Sequence, residues 1–232
     1  MPLTEGNIVA QYYEGNMPLH DAIKTLRANI RFSTIDKDAK TIVVTSVLPN
    51  EGKSTLTSYL GIAMAEEGRK TLLVECDMRK PIMRYYFQAR PERDVADALR
   101  APDQCEDCIM PTEIACMDVL FGRKLPNPVE VLGSNSFWNL IQRLSDQYDT
   151  ILLDTPPLGS FIEAALLAAK ADGTLLVVQP GTTDLADARA AVGQLKKANA
   201  HILGVALNTV NKAEAPYQAG HYPAAGEHNR PN

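Results

Sequence analysis

Gly52, Lys53 and Ser54 stand together in a pattern that can bind phosphate. In such a loop, backbone N–H groups and the start of a following helix face the anion, and the lysine reaches its outer oxygens. A serine next to the lysine can ligate Mg²⁺ through its hydroxyl. The sequence therefore predicts a phosphate-binding loop formed by Pro49, Asn50, Glu51, Gly52, Lys53, Ser54 and Thr55.

The flanking residues predict the elements that would hold this loop. Residues 41–45 are rich in β-branched side chains, as in a buried strand, and the Pro, Asn and Gly that follow cannot extend it. From Ser54 onward, apolar residues recur at helical spacing. The complete pattern asks for a glycine where Val47 stands, so a chance match in a surface turn is the alternative. The strand and the helix favour the phosphate site.

Charged residues lie at the ends of two further predicted strands, TLLVE and DTILL; they are Glu75, Asp77, Arg79 and Asp154. Because ligands bind at the carboxyl ends of strands in open α/β sheets, we expect these side chains beside the phosphate loop. Asp154 is then a candidate partner for Mg²⁺. The alternatives are surface carboxylates in a turn and an aspartate that caps the next turn.

The order of strands and helices predicts the fold class. Short apolar strands are predicted at residues 41–45, 71–75, 117–121, 149–153, 174–178 and 202–207, with helical segments between them. Such alternation predicts α/β architecture: a doubly wound, mostly parallel sheet with helices on both faces, as in P-loop NTPases. Asn208 ends the last strand, where its amide could meet an adenine; a turn-forming asparagine is the equal alternative.

Composition indicates one globular domain. The chain has 232 residues, of which 45% are hydrophobic, and its net charge of −5 gives no general attraction for nucleic acid. It has no apolar run of the roughly 18 residues that a membrane span needs and no signal-peptide pattern at its start, so we expect a cytoplasmic protein. Cys105 and Cys108 lack the further ligands of a zinc site, and the four cysteines are expected to be thiols.

The ends of the chain are expected to lie outside the domain, which spans residues 18–212. Residues 1–17 show no clear periodicity and are expected to form an arm, and residues 213–232 are rich in Pro, Gly and Ala, as in a flexible tail. A predicted helix near the start of the domain carries one charged stripe, formed by Asp21, Lys24 and Arg27. By spacing alone this stripe is a solvated face with an ion pair three residues apart.

Together these motifs resemble those of the bacterial tyrosine kinases of capsule and exopolysaccharide export, which are P-loop autokinases related to the partitioning and cell-division ATPases. The resemblance covers residues 21–208 and rests on DAIKTLRANI, TSVLPNEGKST, LLVECDMRKP, LPNPVEVLGS, YDTILLDTPP and LGVALN, in that order. The partitioning and cell-division ATPases carry a second lysine near the start of the loop. Here Leu48, Pro49 and Asn50 stand in its place, as in the kinases.

The resemblance implies a role for each site residue. Lys53, Ser54 and the loop amides would hold ATP and Mg²⁺, and Arg79 and Asn208 would belong to the nucleotide site. Asp154 would be the Walker B acid and a metal ligand together with Ser54 and Asp77. Glu75 and Asp77 would form the second acidic pair, which assists the metal and the incoming tyrosine. The family usually has aspartate where Glu75 stands, one methylene shorter.

The resemblance also implies partners. Neighbouring subunits of a ring-like homo-oligomer would phosphorylate two tyrosines of the tail, Tyr217 and Tyr222, and the stripe of Asp21, Lys24 and Arg27 would contact the neighbour. Tyr85 and Tyr86 are instead expected to be packed. The chain resembles the split form of the family, in which a membrane adaptor, a polysaccharide co-polymerase, supplies an activating cytoplasmic segment and recruits the kinase to the inner face of the membrane.

We therefore expect an ATP-dependent protein-tyrosine autokinase that regulates polysaccharide synthesis and export. The alternative is an ATP-binding assembly switch on the membrane partner, which has lost kinase activity through Glu75 and the small number of tail tyrosines. A partitioning-type ATPase is a third hypothesis, and the absence of a second lysine near the start of the phosphate loop counts against it.

Overall fold

A single sheet forms the centre of the fold. The computed structural model describes residues 7–15, 17–34 and 39–209. Within them the strands are β1 (Thr41–Ser46), β2 (Thr71–Glu75), β3 (Ile109–Pro111), β4 (Met117–Leu120), β5 (Thr150–Asp154), β6 (Gly173–Val178) and β7 (Ile202–Leu207). Their order across the sheet is β3-β4-β2-β5-β1-β6-β7. Neighbouring strands are parallel, except that β3 runs antiparallel to β4 at one edge.

The doubly wound, mostly parallel sheet predicted from the sequence is confirmed, and each predicted strand is found. The edge strand β3 is an addition. Its three residues, Ile-Met-Pro, are partly or fully exposed, so they lack the continuous apolar run that marks a buried parallel strand.

Helices cover both faces of the sheet. In the described ranges they are α1 (Ile8–Tyr13), α2 (Met17–Ser33), α3 (Lys53–Glu66), α4 (Met83–Tyr86), α5 (Val95–Arg100), α6 (Pro128–Gly133), α7 (Asn135–Ser145), α8 (Glu163–Ala168) and α9 (Leu185–Lys197), with a 3₁₀ segment at Pro102–Cys108. Helices α1 to α4 contribute buried residues to the apolar layer on one face. Helices α5 to α9 contribute to the layer on the other face.

Successive residues of the central strands face opposite layers. In β1, Val43 packs in one layer while Ile42 and Val44 pack in the other, and every residue of β1, β2 and β5 is buried. The chain leaves β1 toward β2 on one side and later passes back to β6 on the other. The strand order therefore reverses at β1, and the carboxyl ends of β2, β5 and β1 lie side by side where such sheets bind ligands.

The described part of the predicted N-terminal arm is helical. The side-chain oxygen of Asn7 accepts a hydrogen bond from the Val9 N–H at 2.9 Å and caps α1. Tyr12 is 1% exposed, and its hydroxyl donates to a carboxylate oxygen of Glu66 on α3 at 3.3 Å. This part of the arm is therefore packed onto the domain.

Two expectations from composition concern the cysteines and the membrane. All four cysteines are free, and Cys105 and Cys108 are buried. Among the described residues, no three His, Cys, Asp or Glu side chains are grouped closely enough to enclose a metal ion. Each helix in those ranges is too short or too polar to cross a bilayer.

Candidate active site

The loop between β1 and α3 depends on two residues in the left-handed backbone region, Asn50 with a φ of 65° and Gly52 with a φ of 82°. A Cβ atom on Gly52 would lie 2.2 Å from the Asn208 Nδ2 atom, so only glycine fits there. Helix α3 begins at the next residue, Lys53. Its first N–H groups have no acceptor within the helix and are available to an anion.

Four of the predicted site residues meet at the start of α3. The Lys53 Nζ atom lies 3.0 Å from Asp77 Oδ2 and 3.8 Å from Asp154 Oδ1. It also donates to the Ser54 hydroxyl oxygen at 3.0 Å, and that hydroxyl donates to Asp154 Oδ2 at 2.7 Å. Strand β5 carries Asp154, and Asp77 follows β2, so the parallel sheet brings these distant residues to one place.

The charged groups of this cluster shift one another's pKa values. Burial raises the pKa of the Asp154 carboxyl, while Lys53 and the Ser54 hydroxyl act in the opposite direction. Burial likewise lowers the pKa of the Lys53 ammonium, but the negative charges of Asp154 and Asp77 outweigh it and raise that pKa. The ammonium is therefore held as a cation next to two carboxylates, ready to face phosphate oxygens.

The oxygen atoms of this cluster suit Mg²⁺. Ser54, Asp77 and Asp154 offer a hydroxyl and two carboxylates, and Mg²⁺ prefers such hard oxygen ligands. Two carboxylates do not form a complete protein cage. Mg²⁺ usually keeps several waters and binds substrate phosphates in addition to one or two carboxylates, so this partial set fits a metal that arrives with a nucleotide.

Glu75 is placed differently from the other acids. It is the register partner of Asp154 on the neighbouring strand. Its carboxylate, however, is bonded to backbone groups. The Oε1 atom accepts hydrogen bonds from the N–H groups of Ile82 at 2.5 Å and Met83 at 2.7 Å, and the Oε2 atom accepts one from the Gly122 N–H at 2.9 Å. Burial raises the pKa of this carboxyl to about 7, against the lowering effect of those backbone bonds. Both carboxylate oxygens are therefore bonded to the backbone, and their described hydrogen bonds do not include the Lys53 cluster.

Arg79 is held by a residue that sequence reasoning missed. Its Nε atom donates to Glu163 Oε1 at 2.7 Å, and its guanidinium lies 4.1 Å from the centre of the Phe161 ring. Glu163 is completely buried on α8. In this structure Arg79 thus binds a buried carboxylate, and because the two residues are 84 positions apart in the chain, no local sequence pattern reveals the pair.

Glu51 and Asn208 hold the phosphate loop. The Glu51 carboxylate is 1% exposed and accepts from Leu48 N–H at 2.7 Å, from Gln179 N–H at 2.9 Å and from the Thr183 hydroxyl. The Asn208 amide donates to the Glu51 carbonyl at 2.8 Å. The loop is therefore tied to the segments that follow β6 and β7, while Pro49 and Asn50 remain exposed.

Thr55 contacts Tyr86, one of two tyrosines that were expected to be packed. The hydroxyls of Thr55 and Tyr86 lie 3.0 Å apart in a hydrogen bond. Tyr86 is partly buried, whereas Tyr85 is 65% exposed, so the expectation that both are packed is wrong for Tyr85. The aromatic pair has no local signal that distinguishes these two environments, because α4 is only one helical turn long.

The charged stripe of α2 is divided. The Arg27 Nη1 atom donates to the Ala63 carbonyl of α3 at 2.7 Å, and Nη2 lies 3.4 Å from Glu67. Asp21 and Lys24 are exposed, and the ion pairs described for these helices do not join them. The predicted acceptors Tyr217 and Tyr222 lie outside the described residues.

A phosphate loop after the central strand of a parallel sheet, with its lysine beside an aspartate from the adjacent strand, defines a P-loop nucleotide-binding domain. The AAA domain family model matches residues 39–203. The chain belongs, within that class, to the family of bacterial tyrosine-protein kinases, as its similarity to curated relatives shows.

Tyrosine-protein kinase CpsD of Streptococcus agalactiae is 34% identical over 207 residues, which cover 88% of this chain and 89% of the relative. Tyrosine-protein kinase YwqD of Bacillus subtilis is 32% identical over 186 residues, with 80% and 78% covered. Tyrosine-protein kinase wzc of Salmonella typhimurium is 29% identical over 199 residues, which cover 85% of this chain but 28% of the relative. The chain thus matches most of two relatives and a part of a longer third one.

Solved structures agree with this assignment. The crystal structure of the chimerical protein CapA2B2 has a TM-score of 0.77 at 34% identity and covers 82% of this chain and 84% of its own. The septum site-determining protein MinD complexed with Mg-ADP, from Pyrococcus horikoshii, has a TM-score of 0.61 at 28% identity, with 72% and 69% covered. Both proteins share the fold, and the chimerical protein CapA2B2 has the higher TM-score and the higher sequence identity of the two.

Proposed function

We propose that this protein is an ATP-dependent protein-tyrosine autokinase that regulates capsular or exopolysaccharide synthesis and export. One observation carries the proposal: Lys53 lies between Asp77 and Asp154 at the start of the P-loop helix, 3.0 and 3.8 Å from their oxygens. Phosphoryl transfer needs mainly positioning and charge neutralisation, which this cluster can supply. The chain's similarity to tyrosine-protein kinases identifies tyrosine as the acceptor class.

In the proposed reaction, the Lys53 ammonium turns from Asp77 to the phosphates of ATP. Ser54 and Asp154 would hold Mg²⁺ with Asp77, and the bound metal would neutralise charge on the phosphate oxygens. The phenol oxygen of the incoming tyrosine forms the new bond to the γ-phosphorus as the bond to ADP breaks. The Asp77 carboxylate, released from Lys53, would accept the phenol proton.

The acceptor residues are proposed to be Tyr217 and Tyr222, phosphorylated by a neighbouring subunit in a ring-like oligomer. They follow the last described strand, β7, in sequence. Asp21 and Lys24 are exposed on α2 and are available to a neighbour, whereas Arg27 is engaged with α3. The proposed subunit contact therefore involves Asp21 and Lys24 more directly than Arg27.

The proposed partner is a membrane co-polymerase that supplies an activating cytoplasmic segment and recruits the kinase to the inner face of the membrane. Two findings support it. The chain corresponds to 28% of the length of wzc, which is itself a tyrosine-protein kinase. A structural relative, CapA2B2, is by name a chimera.

The test is mass spectrometry of the full chain after incubation with ATP and Mg²⁺, with and without the cytoplasmic segment of a membrane partner. Phosphate on Tyr217 or Tyr222 that disappears in the Lys53→Met variant supports the autokinase. A Tyr217→Phe/Tyr222→Phe variant shows whether other tyrosines accept phosphate. Bound ATP without phosphotyrosine under either condition would refute the kinase and leave the assembly switch.

A further inference from the structure

We propose that Tyr86 is a positioning residue of the nucleotide site and that the buried carboxylate of Glu75 holds it there through helix α4. This inference rests on the nucleotide binding of the proposed function, but it does not depend on which tyrosines accept phosphate. It assigns a role to two residues whose side chains lie outside the Lys53 cluster.

The contact at the site is between two hydroxyls. Tyr86 and Thr55 lie 3.0 Å apart, and Thr55 belongs to the first turn of α3, two residues after Lys53. The N–H groups of that turn are those that face an anion in a P-loop. Burial raises the pKa of the Tyr86 phenol, and the charge of Asp154 acts in the same direction. The phenol therefore keeps its proton, and its hydroxyl lies beside the first turn of α3.

Helix α4 cannot determine the position of Tyr86 by itself. It has four residues, and an isolated helix of one turn is unstable because nucleation costs more than its few hydrogen bonds return. Its location must come from contacts outside the helix. Met83 supplies one of them, since it is completely buried in the apolar layer to which α3 also contributes.

Glu75 supplies the other contact. Its Oε1 atom accepts from Ile82 and Met83, the residue before α4 and the first residue of the helix, whose N–H groups have no acceptor within it. Its Oε2 atom accepts from Gly122, where a Cβ atom would lie 2.6 Å from the Glu75 carbonyl. One buried side chain thus ties β2, the start of α4 and the segment after β4 together.

These contacts form a continuous path. It runs from Glu75 at the end of β2, through α4, to the Tyr86 hydroxyl and then to Thr55 at the P-loop helix. Because these contacts position the first turn of α3, loss of the Tyr86 hydroxyl weakens nucleotide binding without unfolding the domain. Loss of the Glu75 carboxylate has the same effect on binding, and it also loosens α4.

The chain offers a matched control in the neighbouring residue. Tyr86→Phe removes the hydroxyl that contacts Thr55, and Tyr85→Phe removes the same group from a side chain that is 65% exposed. We expect Tyr86→Phe to raise the Kd for Mg-ADP, measured by calorimetry, by about fivefold, the usual effect of one hydrogen bond. Tyr85→Phe should leave the Kd unchanged, and both variants should remain folded at the temperature of the calorimetry, as circular dichroism would show.

Two further measurements distinguish positioning from general stability. In a Thr55→Val background, Tyr86→Phe should have no additional effect on the Kd, because the partner hydroxyl is already gone. Glu75→Gln should raise the Kd by a similar factor and speed hydrogen exchange at Ile82 and Met83. Equal Kd values for wild type and Tyr86→Phe would overturn the role of Tyr86, and unchanged binding in a folded Glu75→Gln variant would overturn that of Glu75. Either result leaves the phosphotyrosine assay, and so the proposed kinase, intact.

Discussion

The Glu75→Gln variant also tests how one buried carboxyl makes the stability of this fold depend on pH. Glu75 is 1% exposed, and burial raises its pKa from an ordinary 4.5 to about 7. Between those values the folded state keeps a proton that the unfolded state has released. The free energy of unfolding therefore falls as the pH rises through this range. At about 1.4 kcal/mol per pH unit, the loss from Glu75 is about 3 kcal/mol.

Glutamine has the shape of the protonated side chain but does not titrate. We expect the advantage of wild type over Glu75→Gln to be largest near pH 5 and to shrink by about 3 kcal/mol toward pH 8. Urea unfolding at several pH values measures this difference directly. A Glu92→Gln variant, altered at an exposed glutamate, should follow the wild-type curve at every pH. A wild-type advantage over Glu75→Gln that stays constant from pH 5 to 8 would refute the reasoning.

Other predictions concern the loop, the metal site and α2. Gly52→Ala should weaken nucleotide binding at least about tenfold, because a Cβ atom would lie 2.2 Å from the Asn208 amide and alanine is strained at a φ of 82°. Asp154→Asn should lower kcat at least about 100-fold, because Ser54 loses an anionic acceptor and the metal a ligand. Arg27→Ala should reduce the free energy of unfolding by about 1 to 2 kcal/mol, since its guanidinium donates to the Ala63 carbonyl.

Each of these has a control in the same chain. Gly68→Ala alters a glycine that has the same φ of 82° and open space around its Cβ position but lies after the far end of α3, and it should leave nucleotide binding unchanged. Lys24→Ala alters an exposed residue of α2 and should change stability by less than about 0.5 kcal/mol. Titration calorimetry, kinase assays and urea unfolding are the respective measurements. Wild-type nucleotide affinity in Gly52→Ala would contradict the loop geometry. Wild-type kcat in Asp154→Asn would contradict the metal role of Asp154. Equal stability of Arg27→Ala and Lys24→Ala would contradict the contact of Arg27 with α3.

The sequence alone was sufficient for the sheet because its central strands are buried on both faces. Strands β1, β2 and β5 are buried at every residue, and such strands carry runs of apolar residues through their middle. The elements that the sequence did not predict, β3 and α1, are those that are not continuous apolar segments buried on both faces. Strand β3 is a partly exposed edge, and α1 is a single short helix whose burial depends on contact with α3.

For the site, the sequence by itself was sufficient to predict that Asp77 and Asp154 lie beside the phosphate loop, because the chain order of a parallel sheet brings the ends of its strands to one edge. It could not determine which buried polar groups pair. Glu75 bonds to Gly122, 47 residues away, and Arg79 to Glu163, 84 residues away. Local patterns report periodicity and turns, whereas the partner of a buried polar group depends on which distant segments meet. Only the tertiary structure made that choice: it placed the Glu75 carboxylate against the start of α4 and the Tyr86 hydroxyl against Thr55 of the P-loop helix.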